Sequence, residues 1–86
     1  MSVMEGHSVI SPEVLARYAR DAAAEVTAVR GARIDGTQVE VHVAVDYGRN
    51  LQEVAGEVQE RVIDYLHRMA DVTPSLVHVV VDDVVR

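Results

Sequence analysis

From Val39 to Asp46 the sequence alternates without a break, setting Val39, Val41, Val43 and Val45 against Glu40, His42, Ala44 and Asp46. Side chains along a β-strand point to opposite faces in turn, so this spacing predicts a strand with one buried face and one open face. Such a strand needs an apolar layer on its valine side, and the flanking sequence supplies two helices. Ser11-Pro12-Glu13 is a helix start: Ser11 can cap free amides, Pro12 suits the first helical position, and Glu13 meets the positive end of the dipole. Over residues 12–25, Val14, Leu15, Tyr18, Ala19, Ala22 and Val26 share one face at helical spacing. Asn50, with Glu53 three residues on, opens a second helix. Its Leu51, Val54, Ala55, Val58, Val62, Tyr65, Leu66 and Met69 form an apolar stripe, with Ile63 off it. Glu57 with Arg61 and Asp64 with Arg68 are i,i+4 pairs, each contributing about 0.3 kcal/mol.

Two more strands complete the reading. Thr27 to Ile34 is a weaker strand, with Gly31 marking a bulge or twist, and Asp35-Gly36 is a hairpin-turn dipeptide. Pro74 closes the second helix region, and Leu76 to Asp82 is a closing strand with Val77, Val79 and Val81 toward the helices. The order αββαβ predicts an α+β fold of two layers, a three-stranded mixed sheet with two helices on one face. The second helix is a crossover, so the last strand runs parallel to the second. The expected organisation is a flexible lead-in over residues 1–9 and a single domain over residues 10–86.

The 86 residues allow one small domain. The absence of Cys excludes disulfide staples, zinc knuckles, iron–sulfur sites and thiol nucleophiles. Every cation is Arg, and the only rings besides histidine are Tyr18, Tyr47 and Tyr65, so platforms for stacking bases are few. The net charge is −6, and residues 36–86 carry four Arg against nine acids, a balance that repels phosphate backbones and anionic lipid. No apolar run approaches the roughly 20 residues that cross a bilayer, and residues 1–7 lack the basic and apolar regions of a signal peptide. The expected address is cytoplasmic, without direct insertion into a membrane.

With the elements placed, a family resemblance can be read from Val9 to Val84. The chain has an Ile10-Ser-Pro-Glu-Val-Leu-Ala16 helix entry, a valine-rich hairpin, and a strand running into Val43-Ala-Val-Asp-Tyr-Gly48. It then has Val58-Gln59 in a helix that ends near Met69, and a closing Val77-His-Val-Val-Val-Asp-Asp-Val84. In these features it resembles the alkaline shock protein family of bacterial envelope stress response proteins. The resemblance implies a small cytoplasmic protein linked to envelope homeostasis, held at the inner face of the cell membrane by an integral membrane partner.

Chemistry-bearing constellations are sparse. Gly31 to Thr37 has a passing phosphate-loop look but lacks the lysine, and it reads as a hairpin. Ser11 and Ser75 both sit beside prolines at element ends, and Asp46-Tyr47-Gly48 reads as a turn. No catalytic residue and no cofactor are expected. His42 and His78 lie on the open face, with Glu40 and Asp82 in reach if their strands adjoin; two histidines without a fixed third ligand do not define a metal site, and none is expected. That face mixes Ile34, Ala44, Leu76 and Val80 with Glu40, His42 and His78, and apolar residues on an uncovered face point to contact with another chain. The strands at the sheet edges lack lysine, which favours pairing into a homo-oligomer. The expected function is therefore a non-enzymatic scaffold or adaptor that self-associates and docks to a membrane-anchored partner. The rival reading is a KH-like nucleic-acid-binding domain of similar outline. Against it, the chain has no Gly-x-x-Gly, and its second helix presents Glu53, Glu57, Glu60 and Asp64.

Overall fold

A computed structural model of the chain describes residues 10–86, so the lead-in expected over residues 1–9 lies outside the described residues. The elements are α1 (Pro12–Ala24), β1 (Ala28–Asp35), β2 (Gln38–Asp46), α2 (Leu51–Ala70) and β3 (Leu76–Val85). They form the anticipated α+β fold. β1 and β2 are antiparallel, β2 and β3 are parallel, and the order across the sheet is β1-β2-β3. The alternating strand thus holds the centre and meets a neighbour on each side, a point the sequence left open.

Both helices lie on the valine side. Val39, Val41, Val43 and Val45 are buried there against Leu15, Ala19, Ala22 and Ala23 of α1 and Val54, Val58, Val62 and Leu66 of α2. Removing a valine side chain from water is worth roughly 1.5 kcal/mol or more, so these rows supply most of the drive for the two-layer arrangement. Alanines on α1 let it approach the sheet closely. The rings of Tyr18 and Tyr65 meet edge to face, 5.8 Å apart, and join the helices above the core. Leu51 and Met69, placed on the apolar stripe by spacing alone, are exposed because they lie at the ends of α2, beyond the layers they would pack against.

The ends of the elements follow local chemistry. Ser11 Oγ accepts from Val14 N, and Asn50 Oδ1 accepts from Gln52 N and Glu53 N, each cap contributing about 1 kcal/mol. The β1–β2 hairpin pairs Asp35 with Gln38, so its two-residue loop is Gly36-Thr37, one position further on than the Asp-Gly dipeptide suggests. Gly36 takes φ +62°, which a glycine adopts at little cost. Asp64 pairs with Arg68 as spacing predicts, but Arg61 reaches Glu25 at the end of α1 at 2.7 Å instead of Glu57, which faces Arg49 at 3.7 Å. Tertiary neighbours outcompete an exposed i,i+4 pair because that pair is worth so little.

The end of α2 is strained. Asp71 occupies the left-handed region at φ 54°, where its N–H donates to His67 O while Val72 N–H donates to Leu66 O. Glycine is the residue favoured at such a helix end because it has no Cβ to clash. Asp71→Gly is expected to stabilise the fold by about 1 kcal/mol and to raise Tm by roughly 4–8 °C. Thermal denaturation followed by circular dichroism checks this, and an unchanged or lowered Tm contradicts the strain.

Candidate functional site

The face of the sheet turned away from the helices is the one surface of the strands that the described elements leave uncovered. Two irregularities determine what it displays. β1 carries a bulge between Val29 and Gly31, and β3 carries one between Val81 and Asp83, both beside the same stretch of β2, Ala44 and its neighbours. In a regular strand Asp82 and Asp83 would point to opposite faces. The extra residue at the bulge breaks that alternation, and both carboxylates reach the open face.

The result is a lattice of ion pairs across all three strands. Arg30 on β1 reaches Asp83 on β3 at 3.1 Å, so this pair spans the whole width of β2. Arg33 faces Glu40 at 3.4 Å. His42 sits at the centre: its Nε2 lies 2.5 Å from Glu40, and its Nδ1 lies 3.0 Å from both oxygens of Asp82. A ring with a carboxylate at each nitrogen is best satisfied as the imidazolium, donating from both. Donation to Glu40 first, and then to Asp82, raises the His42 pKa above its ordinary 6.5. The same bond to His42, helped by Arg33, lowers Glu40 below its ordinary 4.5.

The residues singled out from sequence divide accordingly. Glu40, His42, Ala44, Leu76, His78 and Val80 do share the open face, since the register sets Glu40 beside His78, His42 beside Val80 and Gln38 beside Leu76. Ile34 does not. It pairs with Val39 and packs on the helix side with the core, because the bulge at Arg30 resets the alternation of β1. Ala44 is on the open face yet only 4% exposed; Arg30 and Asp83 meet across the strand that carries it. The face is consequently more charged than the expected mixture, with Leu76 and Val80 its apolar part. Arg30, Arg33, Asp82 and Asp83 are the contributors that spacing missed. The available signals were Gly31 and the adjacent acids Asp82-Asp83 closing a valine strand.

Both ring nitrogens of His42 are already held by carboxylates, and no group of three His, Cys, Asp or Glu able to hold a metal occurs among the described residues. Arg17, Arg20, Arg30 and Arg33 do not converge on one groove. Arg30 and Arg33 are paired on the open face, while Arg17 and Arg20 line a shallow groove beside α1 with Glu13, Ala16 and Ala32.

The class of protein is a small αββαβ domain with one helical layer and a charged open sheet face, and solved structures share this fold. A variant titled MamM CTD is similar at TM-score 0.56 and 24% identity, covering 86% of this chain and 82% of that one. A second MamM CTD variant is similar at TM-score 0.51 and 22% identity, covering 85% and 98%. No curated protein matches the chain. The sequence profile of the alkaline shock protein 23 family, described as having a cell envelope-related function, matches residues 31–86. The chain belongs to that family, as its motifs suggested. No helix among the described residues is long and apolar enough to cross a membrane.

The lattice fixes a pH dependence. A raised His42 pKa contributes stability that is fully present below pH 6.5 and is lost as pH rises through the folded value. The lowered Glu40 pKa contributes stability present above pH 4.5 and lost as pH falls through its own folded value. Tm is therefore expected to be highest between about pH 4.5 and 6.5 and to decline as pH rises from 6.5 through the folded His42 value. His42→Gln should flatten the alkaline part of that profile, and an identical slope in the variant counts against the imidazolium assignment.

Proposed function

We propose that this chain is a non-enzymatic adaptor of the cell envelope that self-associates and docks through its open sheet face onto a membrane-anchored partner. That partner holds it peripherally at the inner face of the membrane. The observation that supports the reading is the open face itself. Its ionic side chains are tied across β1, β2 and β3 by Arg30–Asp83, Arg33–Glu40 and Glu40–His42–Asp82, and Leu76 stands 52% exposed at its rim. A surface held by side chains already paired loses little rotamer freedom on contact, which favours docking of a rigid partner. Membership of a family with a cell envelope-related function agrees with it.

Capture from detergent-solubilised membranes tests this. The tagged protein is expected to retain an integral membrane protein after nuclease treatment. Leu76→Arg, which alters the rim without touching the core, should lose that capture while Tm stays within about 4 °C, since exposed substitutions change stability by roughly 0.5 kcal/mol or less. Recovery of RNA with partners that vanish on nuclease treatment would sink the adaptor reading in favour of the nucleic-acid one.

A further inference from the structure

We infer that the edge of β3, which the described residues leave free, is the seat of a second copy of this chain, paired antiparallel about a two-fold axis at Val80. This deepens the self-association part of the adaptor reading and rests on it. The two outer strands of the sheet are not equivalent. β1 is interrupted by its bulge and carries Arg30, Arg33 and Asp35, the features that discourage edge pairing. β3 is ten residues long, valine-rich, and free of proline and lysine.

The backbone shows which groups are on offer. Gln59 of α2 donates from Nε2 to Val77 O at 3.1 Å, so Val77 turns its carbonyl toward the edge; beyond the bulge the parity reverses, and Val85 O accepts from Tyr47 N on the β2 side. Val79 and Val81 share the orientation of Val77, and their N–H and C=O groups face outward. Gln59 closes one end of this free stretch and the bulge at Asp82 closes the other, leaving His78 to Asp82 between them.

That window is complementary to itself. With the axis at Val80, Val79 of each copy exchanges hydrogen bonds with Val81 of the other, Val80 meets Val80, and His78 lies opposite Asp82. Every one of these pairs matches faces, with His78, Val80 and Asp82 on the open side and Val79 and Val81 on the helix side. The axis is perpendicular to the sheet, so the two sheets join as one with both helical layers on the same side. There the pairing has an apolar complement. Ile63 is 41% exposed one turn beyond Gln59, on the flank of α2 that overhangs β3, and Val84 is 43% exposed where α2 leaves the end of β3 uncovered. Because α2 runs opposite to β3, the two-fold axis carries Ile63 of one copy toward the Val84 end of the other.

The chain has no cysteine, so single-cysteine variants report the register cleanly. Directly opposed residues in a non-hydrogen-bonded antiparallel pair fall within disulfide reach. Val80→Cys is expected to form a disulfide dimer with itself under mild oxidation. His78→Cys should cross-link when mixed with Asp82→Cys and not alone. Sedimentation equilibrium should show a dimer for the natural sequence, and Val80→Glu, which sets two carboxylates against each other at the axis, should raise its Kd by roughly tenfold or more. Ile63→Asp should weaken it in the same direction. A monomer at about 100 µM overturns the proposal, as does Val80→Cys cross-linking no faster than an exposed control such as Glu60→Cys. A monomer that still retains a membrane protein through Leu76 and its face overturns only the dimer, and loss of that capture in an intact dimer overturns only the docking.

Discussion

Everything in this fold depends on β2 being buried on one side and flanked on both edges. Its four alternating valines meet both helices, and its backbone is the only one in the sheet bonded to two neighbours. No other strand could take that place. β1 is interrupted by a bulge, and the outer half of β3 runs past the cover that α2 provides, leaving Val84 and Val85 exposed. Once β2 is central, the hairpin places β1 on one side, and the crossover through α2 brings β3 parallel on the other.

The open face follows from how the neighbours of β2 depart from regularity. Both bulges adjoin the same part of β2, and together they turn Arg30, Asp82 and Asp83 onto a face that would otherwise show fewer charges. His42 then finds a carboxylate at each ring nitrogen. Each exposed ion pair is weak alone, and their effect is geometric: they fix side chains that would otherwise sample many rotamers. The open face thus displays a defined arrangement of charge on a chain whose family has a cell envelope-related function.

Much of this was legible in the residues. Ser11-Pro12-Glu13 and Asn50 marked the helix starts, and the valine alternation gave β2 and its faces. The same alternation put Glu40, His42 and Ala44 on the open side, and that of β3 did the same for His78 and Val80. Ile34 was misplaced because period-two counting assumes an unbroken strand, and one extra residue at Arg30 reverses every assignment beyond it. Arg61 was paired with the wrong acid because Glu25 is distant in sequence and near in space.

The sequence by itself determined the order of elements, their type and the buried face of each, because these depend on periodicities of two and of about 3.6 that neighbouring residues enforce. It determined the family as well, through motifs spread along those elements. Only the tertiary structure decided that β3 lies beside β2, that Asp82 and Asp83 share a face with Arg30 and His42, and that the described residues leave the edge of β3 open. Those outcomes rest on register and bulges, which are fixed when separate strands meet and leave no periodic trace along any one of them.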